Sequence, residues 1–437
     1  MWNKNFDVVL TICLDIENAK NYRFKVFEKL EMEICKKNKC TGCYACVNAC
    51  SHHCIQMRVD EDGAVRPVID ESKCVGCKLC VSSCPNNVEL EFRTPIKCYA
   101  SWITDTEKRR ICASGGIGTI MSEYVLKQRG VVFGSRYDNN LTPIMTYVEN
   151  LEDLESFKGS RYVQSLVGNT TYKEVRTFLR TGRLVLFVGT PCQIAGLKTF
   201  LRKEYENLIT VDLICHGTSP TKYLKDEVDY LSEKFHLQGI SDIRFRGNDG
   251  NNYRLTLWDK DKRKLFPRNN FREKLLRIDE AQQFYLQGFL SGVSLRENCY
   301  TCNYARPERI SDITIGDFIG LGQEKPFLEH VHNVSSVIIN TSKGQNFYDR
   351  VCDNSESLKN EERNYSERLL YKPSLVYPCS RHDKNEEFTL KYKEKGFPEA
   401  IRIVLKNELR KKQMEPLLGL MRRIYHIPGK ILKNKCK

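Results

Sequence analysis

Cysteines carry the first chemistry in this chain. One run reads Cys40-x2-Cys43-x2-Cys46-x3-Cys50, and a second reads Cys74-x2-Cys77-x2-Cys80-x3-Cys84 with Pro85 after it. This spacing wraps 4Fe-4S cubes, and in paired runs the last cysteine of each ligates the other cube. The expected sets are therefore Cys40, Cys43, Cys46 and Cys84 on one cluster, and Cys74, Cys77, Cys80 and Cys50 on the other. Such a pair moves single electrons, so the protein is read as a redox protein. Structural zinc also uses CxxC pairs, but usually as two separated pairs per ion. Three cysteines at three-residue steps with a fourth four residues later fit iron–sulfur instead. Ser51 follows Cys50 where the second run has proline, so the turn there departs from the pattern. Radical chemistry on S-adenosylmethionine needs CxxxCxxC; the starts at Cys46, Cys50 and Cys80 end on His53, Met57 and Asn87, so that motif is missing.

The elements that must hold these ligands are short. Gln56–Asp60 and Ala64–Asp70 read as two strands around the turn Glu61-Asp62-Gly63. Together with the cysteine runs they form a bacterial ferredoxin-like unit, assigned to residues 32–94. Residues 1–31 are an extension with no motif, and Met32 is a second candidate start. With 437 residues, 41% hydrophobic and 10% aromatic, the chain has material for a much larger core beyond that unit. Of its 20 cysteines, eight belong to the two runs; clusters need reduced thiolates, which points to the cytoplasm. No stretch approaches the ~20 apolar residues of a membrane span. Phe6–Leu14 is apolar but flanked by acids and lacks a cleavage site, so it does not read as a signal peptide.

Beyond the ferredoxin-like unit the pattern alternates. Ile117–Gln128 is helical and closes near Gly130, and Val131–Phe133 is a short strand. Leu184–Val188 is a continuous apolar run, followed by Gly189-Thr190-Pro191-Cys192 and a helix from Gln193 to about Arg202. Leu208–Ile214 is the next buried strand, ending at Cys215-His216-Gly217. Strand, helix, strand predicts a βαβ unit with parallel strands. Cys192 and Cys215 then share the carboxyl edge of the sheet, where ligands bind. Cys299-x2-Cys302 precedes a strand at Asp312–Ile315. On spacing alone these four are either a third cluster site or buried structural thiols. The remaining cysteines, Cys13, Cys35, Cys54, Cys98, Cys112, Cys352, Cys379 and Cys436, show no ligand spacing, and most read as structural. His52-His53 reads as surface.

Several short motifs occur together: Ala113-Ser114-Gly115-Gly116, Gly159-Ser160-Arg161-Tyr162-Val163-Gln164-Ser165, Gly189–Gln193, Cys215-His216-Gly217, Cys299-x2-Cys302 and Ser311–Phe318. In combination the chain resembles the coenzyme F420 hydrogenase/dehydrogenase beta-subunit family, from about Cys98 to about Gly344. The resemblance implies an iron–sulfur flavoprotein holding FAD, and it selects Cys192, Cys215, Cys299 and Cys302 as ligands of a third 4Fe-4S cluster. It places Ser114, Gly115, Gly116, Lys158, Ser160, Arg161 and Thr190 as candidate cofactor contacts. Arg161 stands where lysine is usual. Phe245–Asn251 matches the family's pattern only loosely and is expected near the substrate. Use of F420 itself does not follow.

The same residues have plainer readings. Ser114-Gly115-Gly116 directly before a helix suits a diphosphate, but serine there is also an ordinary N-cap. Lys158, Ser160 and Arg161 fit phosphate or flavin, and equally a solvated charge cluster. Gly116-x-Gly118 is no nicotinamide fingerprint, because Met121 occupies the third glycine position. The net charge of +14 concentrates at the end, where residues 401–437 hold 11 Lys or Arg against 2 Glu. Apolar residues at helical spacing there make a basic amphipathic tail, suited to a peripheral membrane contact or to packing on its own domain. Nucleic acid is not the expected partner, since no binding motif is present.

The fold class expected is mixed α/β and α+β: a small ferredoxin-like domain, a flavin and iron–sulfur domain over residues 95–400, and the tail. The function expected is an FAD-dependent oxidoreductase moving electrons between a ferredoxin-like carrier, the clusters and an organic substrate. Some bacterial relatives of the family occur in surface-polysaccharide assembly, which suits a basic tail. The alternative is an electron relay within a larger complex, without chemistry of its own.

Overall fold

The computed structural model describes residues 33–246, 253–267, 283–329 and 331–412. From Ile34 onward the chain forms one contact unit, so the ferredoxin-like segment is not a separate body.

That segment is built as the spacing requires. A hairpin joins β1 (Ile55–Val59) and β2 (Val65–Ile69), antiparallel and in register from Ile55 opposite Ile69 to Val59 opposite Val65. Two short helices, α1 (Ala45–Ala49) and α2 (Leu79–Ser82), each contain the third cysteine of a run. Each is entered through a left-handed residue, Tyr44 at φ 63° and Lys78 at φ 58°.

The larger part is organised by an eight-stranded mixed sheet. In chain order its strands are β3 (Lys97–Ile103), β4 (Val131–Tyr137), β5 (Pro143–Val148), β6 (Val185–Gly189) and β7 (Leu208–Leu213). Then come β11 (Ile313–Asp317), β12 (Ser335–Ile339) and β13 (Leu358–Arg363), after a separate three-stranded sheet of β8 (Ile240–Arg244), β9 (Thr256–Asp259) and β10 (Lys264–Phe266). The spatial order is β13-β3-β12-β11-β7-β6-β4-β5. Four consecutive strands, β11, β7, β6 and β4, run parallel. The expected βαβ unit is therefore present, with β6 and β7 adjacent. β4 continues four residues past the expected end, because β5 pairs with it along that length.

Alternation assigns the two faces of the sheet. Val131, Phe133, Val185 and Phe187 enter one core; Val132, Leu186, Ile209 and Val211 enter the other. The first face is covered by α5 (Thr171–Arg180), α6 (Pro191–Leu201) and the ferredoxin-like segment. The second is covered by α4 (Ile117–Lys127), which follows α3 (Thr106–Arg110), and by α9 (Ser342–Asp353). A third core gathers α7 (Thr221–Phe235), α8 (Phe284–Leu290), and, beyond α10 (Tyr365–Leu369), α11 (Asn385–Lys395) and α12 (Phe397–Val404).

The start of the basic tail belongs to this last core: Ile401, Val404, Leu405 and Leu409 are buried in it. The apolar stripe read as amphipathic is thus used within the protein over 401–409, because its hydrophobic face finds α7 and α8. The stretch Leu417–Tyr425 lies outside the described residues. Among the described residues, no helix is long and apolar enough to cross a membrane.

One ion pair sits wholly inside the sheet. Arg309 donates to Asp212 at 3.1 Å, with both side chains essentially unexposed. The same guanidinium donates to the Tyr304 carbonyl and to Thr314 Oγ1. A buried charge needs such partners, and removing one member of a pair like this costs about 3–5 kcal/mol. Nearby, Asp312 accepts from Thr210 N, Thr210 Oγ1 and Thr341 Oγ1, tying β7, β11 and the start of α9 together.

Candidate functional site

The cysteines gather into three sets. Cys40, Cys43, Cys46 and Cys84 surround one small void, and all four are buried. Cys84 thus joins the first run, as the crossed pairing of such runs requires. Cys50 leaves its own run and interacts with Cys80, which also feels Cys74; Cys77, from the same loop, is exposed. Among the described residues no three Cys, His, Asp or Glu side chains are placed to hold a single metal ion.

The third set is assembled from distant segments. Cys192 is the second residue of α6, Cys215 lies two residues beyond the end of β7, and Cys299 closes a short 3-10 turn, Glu297–Cys299. Cys215 interacts electrostatically with Cys299, Cys192 and Cys302, and Cys302 with Cys192 and Cys299. Burial pushes the Cys302 thiol up to about 12 and the Cys215 thiol well above its usual range. Isolated thiols in such a place stay protonated and inert; bound to iron they would be thiolates.

Helix α6 joins the sets. Cys192 and Gly196 are one turn apart, hence on one face of the helix. A Cβ on Gly196 would lie 2.9 Å from Cys43 Cβ and 3.0 Å from its sulfur. Glycine here lets the first set approach the helix that carries the third. Tyr304, buried, feels Cys192 and Cys43, then Cys302 and Cys84, so it stands between the two sets. Tyr172 donates to the Gln193 carbonyl at 2.9 Å on the same junction.

Two residues that sequence reasoning did not single out fasten the ferredoxin-like segment. Arg296, 2% exposed, donates to the carbonyls of Thr41 at 2.9 Å, Cys40 at 3.2 Å and Val65 at 3.3 Å. Asn48 donates to the Gly168 carbonyl at 3.0 Å and accepts from Tyr172 N at 3.1 Å. An arginine three residues before Cys299 was the only sequence signal, and its partners are over 230 positions away.

On the other side of Cys192 lies a cavity of about 310 Å³ at the carboxyl edge of β4, β6, β7 and β11. Its wall includes Ser114, Gly116, Lys158, Ser160, Arg161 and Thr190, so six of the seven expected cofactor contacts meet in one place. Gly115 does not line it. A side chain there would strike the Ser101 carbonyl at 2.3 Å, and its N–H donates to Ser335 Oγ at 2.8 Å. Its role is close packing behind the wall.

The plain readings of these residues divide. Ser114 does not cap α4: its hydroxyl donates to the Val334 carbonyl at 3.1 Å, and Gly116, at φ 85°, is the cap position with no side-chain bond. The first turn of α4 is therefore open to the cavity, which Ile117, Gly118 and Thr119 also line. Arg161 is not a solvated charge. It donates to the carbonyls of Ser156, Phe157 and Lys158 and lies over the Tyr137 ring. Burial lowers its pKa. It shapes the loop rather than offering a free guanidinium. Lys158 is paired with Glu155 at 2.8 Å.

Thr190 caps α6 in a reciprocal box with Gln193, and its Oγ1 lies 3.2 Å from Cys192 Sγ. It thus touches both the cavity and the third thiol set. Ile214 lines the cavity immediately before Cys215. Apolar walls come from Phe133, Val188, Leu213 and Ile315. At one end, Tyr162 stacks on Phe289, centroids 5.4 Å apart, and Arg246 donates to both oxygens of Asp317 at 2.7 and 2.8 Å. Of the stretch Phe245–Asn251 only these first two residues are described; Arg246 does line the cavity.

Comparison with known proteins gives two domain matches. The family model for the C terminus of the coenzyme F420 hydrogenase/dehydrogenase beta subunit matches residues 182–363. That described as 4Fe-4S dicluster domain matches residues 39–88. No curated protein matches. Among solved structures, a chain of the F420-reducing NiFe hydrogenase complex from Methanosarcina barkeri, studied by xenon derivatization, aligns at 14% identity. The alignment covers 63% of this chain and 85% of that one, with a TM-score of 0.37.

Proposed function

From the premise that this chain is an iron–sulfur electron-transfer protein, joining a 4Fe-4S dicluster domain to the C-terminal domain of the F420 hydrogenase/dehydrogenase beta-subunit family, we propose that it is an FAD-dependent oxidoreductase. In this reading the cavity holds the flavin. Cys192, Cys215, Cys299 and Cys302 hold a third cluster. Cys40, Cys43, Cys46 and Cys84 hold the inner cluster of the dicluster domain, and Cys74, Cys77, Cys80 and Cys50 the outer one.

The observation that carries it is the single helix α6. Its cap, Thr190, opens on the cavity, its second residue is Cys192, and Gly196 one turn on receives Cys43. Cavity, third set and inner set are therefore consecutive along one helix, and the outer set reaches the surface at Cys77.

The residues present fit a flavin. The uncapped start of α4 offers backbone N–H groups and the positive end of its dipole to a phosphate. The apolar side chains suit a planar ring, and the volume falls at the low end of the range for ligand pockets, about 300–1,000 Å³. Bound there, a flavin supplies the exchange between two-electron organic donors and one-electron clusters. The chain's own contribution is to orient that group against Cys192 through Thr190 and to keep water out with Phe133, Val188 and Ile315. The Arg246–Asp317 pair sets the polarity of the far end, where an organic substrate would enter.

Protein purified without oxygen is expected to hold about twelve irons and one flavin per chain. About eight irons with no flavin would remove both the third cluster and the cavity assignment. After reduction with dithionite, reoxidation by an organic acceptor without a second protein supports an enzyme. Reoxidation by protein carriers alone leaves the relay reading. A peripheral membrane contact of the tail predicts that vesicles of anionic lipid retain the full chain and release one lacking residues 413–437.

A further inference from the structure

The two thiol sets of the dicluster domain each contain a fifth cysteine that the ligand spacing does not use. Cys35 lines the same void as Cys40, Cys43, Cys46 and Cys84. Across that void it interacts with Cys40 and with Cys84. Cys54, 4% exposed, lies 3.3 Å from Cys50, sulfur to sulfur, and also interacts with Cys74.

The placement repeats although the sequence does not. Cys40 is the first cysteine of its run and Cys84 the last of the other; Cys74 and Cys50 stand in the same relation. Each extra thiol thus sits at the crossing point where a run's first ligand meets the other run's fourth. Yet Cys35 precedes its run by five residues, whereas Cys54 follows the end of one by four. Two unrelated chain positions converge on equivalent places, which a random buried cysteine would not do.

We propose that Cys35 and Cys54 are positioning residues for the two clusters. Each remains a protonated thiol and donates its S–H to the ligand thiolates at the crossing point, Cys40 and Cys84 for the inner cluster, Cys50 and Cys74 for the outer. This inference rests on the dicluster reading of residues 39–88. Hydrogen bonds to cluster sulfurs are one of the levers that set cluster potentials. One-electron reduction adds negative charge to the cube and its thiolates, and an S–H donor stabilises that charge. The thiol keeps its proton throughout, so the couple remains one electron with no proton.

The test is an EPR-monitored redox titration of the full chain, with iron and sulfide analysis of each protein. Cys35→Ala and Cys54→Ala are expected to keep the parent's iron content and each to move one cluster signal, a different one in each variant, to more negative potential. Cys35→Ser and Cys54→Ser, which retain an O–H donor, are expected to return most of the shift. Unchanged potentials in both alanine variants would overturn the assignment. So would loss of one cluster's iron from both the alanine and the serine variant at one position, since that residue would then be a ligand. A parent protein without iron would overturn the dicluster reading instead, and the iron analysis separates that case from the others.

Discussion

The two cysteine runs are nearly the same object placed in opposite surroundings. Gly42 and Gly76 occupy the same position in their runs, at φ 64° and 70°. The residue after the second cysteine is left-handed in both, Tyr44 and Lys78. Local sequence therefore dictates one backbone twice. Around it everything differs. A side chain on Gly42 would meet Gln164 Nε2 at 2.5 Å and Arg296 Nη1 at 2.6 Å, whereas Gly76 has nothing within 4 Å. Cys43 is buried against α6, while Cys77 is exposed. The repeat supplies two sites of equal chemistry; the larger domain makes one internal and leaves the other facing solvent at Cys77.

The strongest break of this asymmetry is Arg296→Met. It takes a donor from three carbonyls; Thr41 keeps a longer bond from Gln164 at 3.4 Å, while Cys40 and Val65 lose theirs, each worth about 1–3 kcal/mol when buried without a partner. A loss of about 2–6 kcal/mol is expected from the urea midpoint of oxygen-free protein, with earlier bleaching of one cluster only. Next comes the paired substitution Gly42→Ala and Gly76→Ala. Both suffer left-handed strain of about 1 kcal/mol. Only Gly42→Ala also overpacks, adding about 1–3 kcal/mol, so the two stabilities should separate by at least about 1 kcal/mol. Equal losses would mean that the inner run is not held as described.

Gly196→Ala sharpens the same contrast. The added methyl presses on Cys43 and is expected to cost about 1–2 kcal/mol. With the proposed flavin in the cavity, it should slow electron transfer from there to the inner cluster in stopped-flow reduction, while leaving reduction of the outer cluster from solution unchanged. The smallest effect belongs to Lys78→Glu, beside exposed Cys77. Stability should change by less than about 0.5 kcal/mol, but the rate of exchange with small redox proteins and its salt dependence should shift, because exposed charge acts on encounter.

How legible was this in the sequence? The cysteine runs, the meeting of Cys84 with Cys40, Cys43 and Cys46, the hairpin and the β6-α6-β7 unit follow from spacing and periodicity, which are local. From the βαβ reading alone, Cys192 and Cys215 fall on one sheet edge, and the structure has them there with β6 next to β7. The motif residues from 114 to 190 were named through resemblance, and their meeting in one cavity needed β4, β6 and α4 in place. Three points were out of reach. Ser114 reads as a cap because serine before a helix usually is one, but Val334, 220 positions away, takes its hydroxyl. Arg161 reads as a free cation, but its own loop curls to present three carbonyls. Cys35 and Cys54 show no spacing at all, because what they answer to is a crossing of two runs in space.

By itself the amino-acid sequence determined the ligand chemistry and the local backbone that presents it, since thiol spacing, glycine at positive φ and apolar alternation act over a few residues. Only the tertiary structure decided which cluster set lies inside, which faces solvent and which side chains stand between them. Those outcomes depend on contacts such as Arg296 with Cys40 and Gly196 with Cys43, separated by 256 and 153 positions, and a contact of that span exists only once the intervening chain has packed.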